Sequence, residues 1–384
     1  MRYKLEEVVR FIDYRGKTPP KTTYGVPLIT AKIIKENVIQ PPTEYIAVDY
    51  YDEWMRRGIP QKGDVVLTTE APLGEVAQIK TTDKLAFAQR IIILQGDKDK
   101  LDNDFLFYSL QYEPMRERIR ARSTGTTVVG IKAAELRQVE IDIPNLNIQR
   151  EIASLLSALD ARIAENKAIN HNLEQQAQAI FKSWFVDFEP WGGVMPDGWR
   201  EGTLAELATI TMGQSPDGSS YNEDGDGTVF YQGRAEFGSR FPSRRLFTTQ
   251  PKRMAEKGDI LMSVRAPVGD LNVAFESCCL GRGLAGIKSS NCCQSFILYT
   301  MFALKQQLDM FNGEGTVFGS INKNDMANLP VLIPADEVIH QFDELINPMD
   351  ATIETNYAEN CNLQATRDTL LPKLMSGELS VADI

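Results

Sequence analysis

Apolar positions along this chain follow two different rhythms, and the switch between them occurs twice. Up to residue 143, short apolar and β-branched runs such as 65–69 and 90–94 lie between Gly, Pro and Asp turn residues and predict strands. Residues 103–122 read as helix among them. After Ile143-Pro144 a seven-residue period takes over, with Ile152, Leu159, Asn166, Leu173 and Ile180 on one seam. The same sequence of events recurs: a strand-like run at 260–264, then Ile333-Pro334, then Phe342, Met349, Asn356, Leu363 and Leu370. Five heptads are more than a helix lying on one domain usually sustains, so the two series predict a pair of long helices rather than two separate amphipathic ones. Each series carries Asn at its centre. A buried Asn costs stability and sets register, which leads us to expect an antiparallel pairing with Asn166 opposite Asn356. A helix over residues 148–184 would be roughly 55 Å long at 1.5 Å per residue.

Self-similarity extends beyond the heptads. KGDVVLTTEAPLGEV at 62–76 matches KGDILMSVRAPVGDL at 257–271, and further landmarks follow in order: Gly16-Lys17-Thr18-Pro19 with Gly213-Gln214-Ser215-Pro216, Gly125-Thr126 with Gly315-Thr316, and Ile131 with Ile321. A repeat of about 190 residues is a duplicated domain, not a solenoid element. The expected architecture is mixed α/β (α+β): two homologous globular domains separated by two long antiparallel coiled-coil helices, with pseudo-twofold symmetry. The expected segments are 1–143 and 191–333 for the globular domains, and 144–190 and 334–384 for the helical spacers. Reading heads held at a fixed separation are the geometry that two DNA half-sites demand.

The 384 residues include 41 Lys+Arg and 52 Asp+Glu, a net charge of −11, which argues at first sight against a polyanionic partner. Locality changes that picture. Residues 1–143 hold 22 basic and 21 acidic groups, 191–333 hold 13 and 15, and residues 334–384 hold 2 and 10. The acidic excess therefore sits mainly in the last segment, and each near-neutral domain can carry a basic face. Four of the five Cys form adjacent pairs, Cys278-Cys279 and Cys292-Cys293, a spacing that suits neither a disulfide framework nor a zinc ligand pair. Small buried thiols in a reducing compartment are the simpler reading. With no apolar run of membrane-helix length and no apolar stretch in MRYKLEEVVR, the expected location is the cytoplasm, with no membrane partner.

Catalytic signatures are missing. Residues 125–132 read GTTVVGIK, with Ile131 inserted before the Lys and Ala133 after it, so a phosphate-binding P-loop is not formed. His171 and His340 are the two histidines of the chain and cannot assemble a triad or a histidine metal cluster. Pro41-Pro42 lack the flanking Asn or Asp and aromatic of an amino-methyltransferase. No catalytic and no metal residue is assigned, and a carboxylate constellation suited to a nuclease is not evident.

Taken together, these features resemble the specificity subunit of type I DNA restriction-modification systems over essentially the whole chain. The carrying motifs are the G-[KQ]-[ST]-P turn, KGD followed by A-P-x-G, and the G-T loop. Ile-Pro leading into Gln149-Arg150-Glu151-Ile152, the pair Leu159-Asp160, residues 183–188 (SWFVDF) and residues 370–379 (LLPKLMSGEL) complete the set. The resemblance implies two target recognition domains, each reading half of a bipartite double-stranded DNA site, with the helices setting the unread gap. It implies docking of two modification (methyltransferase) subunits on the helical core and association of restriction (endonuclease/translocase) subunits. S-adenosylmethionine, ATP and Mg would be used by those partners and none would be bound by this chain. One departure stands out: Gln341 lies two residues closer to Asp350 than Gln149 does to Asp160, so the second helix is expected to start differently.

Base contacts specify and phosphate contacts position, so DNA-contact candidates are polar and basic residues on domain loops. In the first domain these are Lys17, Thr18, Lys21, Arg56, Arg57, Arg118, Arg122, Thr126, Thr127 and Lys132. In the second they are Gln214, Ser215, Arg234, Arg240, Arg244, Arg245, Arg265 and Arg282, with Lys252-Arg253 close by. For Arg118 and Arg122, an i,i+4 pair on a helix, a solvated helix face is an equal alternative. Helix register and subunit docking fall to Asn166, Asn356, Leu159, Leu173, Met349 and Leu363. The aromatic group Trp184, Phe185, Phe188 and Trp191 reads as core packing against the second domain rather than a docking patch. Where the repeats agree, the residues are Gly, Pro, Asp and apolar; where they differ, the polar side chains change, as in Lys17 versus Gln214 and Glu70 versus Arg265. A different class of function, a protein–protein scaffold that never touches bases, draws its support from the net charge.

Overall fold

The computed structural model describes residues 1–14, 18–313 and 319–384, so Gly16, Lys17, Gly315 and Thr316 lie outside the described residues. By contacts the chain forms two compact units, Met1–Ile163 with Cys361–Ile384, and Ala164–Asn360. Each unit contains one globular domain and a portion of each long helix.

In the first unit, the β-branched runs form an antiparallel four-stranded sheet in the order Val9–Asp13, Ile91–Gly96, Val65–Thr69, Leu73–Gln78. A smaller sheet orders Tyr45–Ile46, Val26–Ile29 and Ala86–Phe87, the last two running parallel. The second unit repeats the plan. Its four-stranded sheet runs Ala208–Met212, Leu284–Ser289, Ile260–Ser263, Leu271–Val273, and its second sheet pairs Thr228–Tyr231 in parallel with Cys278–Leu280. Each domain is closed by a two-stranded ribbon next to a long helix: Arg2–Lys4 with Glu140–Asp142, and Arg200–Thr203 with Pro330–Ile333.

The shared motifs serve this framework. Asp64 and Asp259 of the two KGD sequences are buried, and each accepts a backbone N–H three residues upstream, from Gln61 at 2.7 Å and Glu256 at 2.8 Å. Burial pushes both carboxyls above the usual aspartate range. The Ala-Pro bonds of both A-P-x-G turns, Ala71-Pro72 and Ala266-Pro267, are cis. Cys278 and Cys279 are buried on one strand with free thiols, and burial raises the Cys278 thiol to about 12.

The heptad stretches form α-helices at Leu146–Phe185 and Asp336–Ser376. Their first residues are 190 positions apart, the shift of the heptads themselves, so the expectation of a different start for the second helix is corrected. What changes is the side chain. Gln149 is buried, accepting from the Asp102 amide and donating to the Lys100 and Pro144 carbonyls, all at 2.9 Å. Ile339 holds the equivalent position, and Asp343 instead takes the Ser295 amide at 2.9 Å.

The seam is wider than the seven-residue series. Beside Ile152, Asn166 and Phe342 of that series, the buried Leu156, Ile163 and Ala177 on the first helix and Ile346, Ile353 and Leu374 on the second occupy a second register four residues along, while Leu159, Leu173, Met349 and Leu363 are half-buried. This is the d position of an a/d seam. The asparagine pairing is corrected accordingly. In the second unit Asn166 donates to the Asn360 side chain at 3.1 Å and to Glu359 at 2.8 Å, while Asn356 donates to Asn170 at 2.8 Å. Opposed positions rise on one helix as they fall on the other, so the segments are antiparallel. Asn166 and Asn356 are offset by one turn, because an antiparallel pair sets an a residue against a d residue.

The aromatic group is core. Phe185 packs on Phe342 at 5.2 Å, on Phe296 at 5.1 Å and on Trp199 at 5.8 Å between ring centroids, and Trp184 and Trp191 lie against the same cluster.

Candidate nucleic-acid interface

The N-terminal end of one central strand and the C-terminal end of its neighbour gather the loops that differ between the repeats. In the second domain the strand Ile260–Ser263 runs out beside the start of Leu284–Ser289, joined by the Val264 amide to the Gly283 carbonyl at 2.9 Å. Arg265 follows at once and pairs its backbone with Ser320. The turn at 281–283 is held between the first loop and the second sheet: the Arg282 amide donates to Ser215 Oγ at 3.2 Å, the Gln214 amide to the Leu280 carbonyl at 2.9 Å, and the Gly283 amide to the Gln232 carbonyl at 3.2 Å. Gln214, Gln232, Arg265 and Arg282 are exposed there, and Ser215 is half-buried. Among the described residues no acidic side chain pairs with Arg265 or Arg282. A guanidinium held on rigid strand ends without an intramolecular acid is available to a phosphate or a guanine edge.

The equivalent place in the first domain is built alike and charged differently. The Ile131 amide donates to the Thr69 carbonyl and the Thr69 amide to the Arg90 carbonyl, both at 2.9 Å. Residues 124–130 close into a hairpin through reciprocal bonds between Thr124 and Gly130 at 2.8 and 2.9 Å. Gly125 is required there: its φ is +116°, and a Cβ would stand 2.1 Å from the Val128 carbonyl oxygen. Thr126, Thr127, Val128 and Lys132 are exposed on or beside this hairpin. Glu70, at the Arg265 position, forms an ion pair with Arg90 at 2.8 Å. The P-loop-like residues thus form a hairpin loop beside an open cleft that Thr69, Gln89 and Arg90 also line.

Other candidates are placed elsewhere. Arg240 is the clear correction: its side chain is 7% exposed and its guanidinium lies 2.5 Å from Asp350 and 3.6 Å from Glu174, so it cannot meet DNA without leaving two partly buried carboxylates without their cation. Arg118 donates to the Glu140 carbonyl at 2.9 Å and pairs with Asp142 at 2.6 Å, and Arg122 pairs with Glu135 at 3.1 Å. Both side chains are tied to their own domain, Arg122 beside Thr124 and Lys132 at the edge of the hairpin. Arg234 pairs with Asp270, Arg244 with Glu276, Arg245 with Glu236 and Glu223, Lys21 with Glu44, and Arg56 with Glu53. Arg57 donates to the Asp13 carbonyl at 2.7 Å, bracing the segment that leads into the first loop. Thr18 is exposed on that loop, and Lys17 lies outside the described residues. The sequence reading missed Gln89 and Arg90, which precede the strand Ile91–Gly96 and carry no motif of their own. It also missed Gln232.

No group of three or more His, Cys, Asp or Glu suited to a metal ion occurs among the described residues, and no helix among them is long and apolar enough to cross a membrane.

Comparison with known proteins gives a consistent answer. The family model described as type I restriction modification DNA specificity domain matches residues 1–175 and again 196–364. A putative type I restriction enzyme MjaX specificity subunit from Methanocaldococcus jannaschii is 31% identical over 339 residues, covering 83% of this chain and 79% of the relative. The type I restriction enzyme MjaIX specificity subunit of the same organism is 26% identical, covering 84% and 79%. The crystal structure of the type I restriction-modification system S subunit from M. genitalium shares the fold, with 18% identity, coverage of 97% and 95%, and a TM-score of 0.63. Two domains of one topology, two heptad helices and a doubled family match together establish that this chain belongs to the type I restriction modification DNA specificity family.

Proposed function

We propose that this chain is the non-catalytic DNA specificity subunit of a type I restriction-modification complex, in which each domain reads one half of a bipartite site. The observation that carries the reading is the contrast between the two strand-end clusters, alike in their described strand-end backbone pairings and different in polar side chains. Two copies of one scaffold with different donors and acceptors recognise two different half-sites. The long helices set the unread gap and offer the docking surface for two modification subunits, with restriction subunits joining that assembly. Adenine-N6 methylation with S-adenosylmethionine, and ATP- and Mg-dependent translocation and cleavage, belong to those partners. The acidic charge of residues 334–384 lies in the helical segment, where protein partners rather than phosphates would dock.

The test is a genome-wide map of methylated adenines in cells carrying this chain with its modification partner, compared with cells lacking this chain alone. Loss of one split motif, two short half-sites around a constant gap, is the expected result. An unchanged map with an active partner would point to a scaffold. Binding of the assembled complex to DNA should also weaken steeply with salt.

A further inference from the structure

The Leu159-Asp160 pair and its repeat, Met349-Asp350, have no part in DNA contact, yet each aspartate is the polar junction between a globular domain and the helices of its unit. In the second unit, Asp350 Oδ1 accepts from Tyr299 Oη at 2.9 Å and from Arg240 Nη2 at 2.5 Å, and its Oδ2 accepts from Ser295 Oγ at 2.6 Å. Ser295 and Tyr299 belong to the domain helix Gln294–Ala303. Arg240 comes from a domain loop tied to the four-stranded sheet by the Val273 amide, which donates to the Arg240 carbonyl at 2.8 Å. Its guanidinium also faces Glu174 on the first long helix at 3.6 Å. The next two residues extend the grip: the Phe241 ring lies 4.8 Å from that of Tyr357, and Tyr357 Oη donates to the Pro242 carbonyl at 3.3 Å. Residues 240–242 therefore hold the second helix at 350 and 357, two turns apart on one face, while touching the first helix at 174.

The first unit solves the same problem differently. Asp160 accepts from Tyr108 of the domain at 2.7 Å, but its arginine, Arg367 at 2.7 Å, comes from the second long helix and not from the domain. The repeat position of Arg367 on the first helix is Ala177, which is fully buried.

We propose that Arg240 is a positioning residue that fixes where the second recognition domain sits along the helices, and so fixes the number of base pairs left unread between the half-sites. This inference rests on the function proposed above. A slip of one helical turn is about 5.4 Å, between one and two base-pair steps of about 3.4 Å, so an axial shift reads out as a changed gap. A buried arginine with two carboxylates has no intermediate position that keeps its partners, which makes the placement discrete.

The experiment maps methylated adenines in cells carrying the whole complex with wild-type chain, Arg240→Met, Arg240→Lys, Tyr299→Phe or Arg367→Met. Both half-sites should be unchanged in every map. Arg240→Met should raise methylation at sites whose gap is one base pair longer or shorter by about tenfold over the wild-type background. Arg240→Lys, which keeps the charge beside Asp350, should restore the single gap, and Arg367→Met should leave the gap alone. Reduced methylation at an unaltered gap in Arg240→Met would mean that Arg240 serves folding only, and would overturn the inference. Should that variant fail to accumulate, Arg240→Gln, which keeps a donor without the charge, decides in the same way: a widened gap supports the inference and a single gap overturns it, while Tyr299→Phe, which leaves Arg240 in place, should keep the single gap. A wild-type map with no split motif would instead sink the specificity reading, and this inference with it.

Discussion

The two domains present the same strand ends with opposite treatment of charge. In the first, Glu70 neutralises Arg90 within the domain; in the second, Arg265 replaces the acid and stands with Arg282, neither having an acidic side-chain partner among the described residues. The junctions with the helices differ in the reverse sense. Asp350 is held by a deeply buried arginine of its own domain, whereas Asp160 is held by a part-exposed arginine of the opposing helix. Duplication has thus kept the hydrogen-bonded framework and let the charged groups migrate. A repeat constrains backbone geometry more tightly than it constrains the element from which a counter-charge arrives.

The largest test of that contrast is stability. Arg240→Met leaves the partly buried Asp350 and Glu174 without their cation, and should cost about 3 kcal/mol in denaturant unfolding. Arg367→Met exposes a pair that water already reaches, and should cost about 1–2 kcal/mol after allowance for screening. Equal losses would break the comparison. Next comes the asparagine layer: Asn166→Ala removes the donor to Asn360 and Glu359 and should cost about 1–3 kcal/mol, read from the same unfolding curves.

On DNA, Arg265→Ala and Arg282→Ala should each weaken binding of the assembled complex by about 1–3 kcal/mol if they contact bases, and lower the salt slope by about 0.9 for each lost phosphate contact. Glu70→Ala, which releases Arg90, should strengthen non-specific binding in the other domain. Equal salt slopes in all three variants would show that these strand ends do not face DNA.

The smallest effect contrasts two carboxyls of one domain. Hydrogen bonds from Arg2, and then Arg118, hold Asp142 below the usual aspartate range despite some burial. The stability it lends is present above about pH 4 and is lost as the pH falls through its lowered folded value. Asp64, raised by burial, works the other way: its contribution is full below about pH 4 and is lost as the pH rises through its raised folded value. Asp142→Asn should therefore make stability less sensitive to acid, and Asp64→Asn should make it more sensitive, in unfolding measured from pH 3 to 7.

Much of this arrangement was legible in the chain. The KGD and Ala-Pro landmarks located equivalent turns because a buried aspartate capping a turn tolerates few replacements. Arg282, Gln214, Ser215 and Arg265 were legible as polar residues on or near turns, and the fold brings them together. Arg240 was misleading for a physical reason: an arginine after a Gly-Ser turn looks the same whether its partner is a phosphate or an aspartate 110 residues away. Arg90 was hidden because a cation before a strand carries no pattern until the neighbouring loops are seen around it.

The sequence by itself determined the duplication, the strand-rich domains, the two heptad helices and the family, since these follow from periodicity and from motif order, both of which are local or repetitive. It also determined that polar layers interrupt the seam. Only the tertiary structure decided which asparagine meets which, Asn166 with Asn360 and Asn170 with Asn356, because antiparallel register is set by packing over the whole seam. Only it decided which cations remain available, because pairing depends on distances between residues far apart in sequence, and burial decides whether a charge must find an internal partner or can wait for an external one.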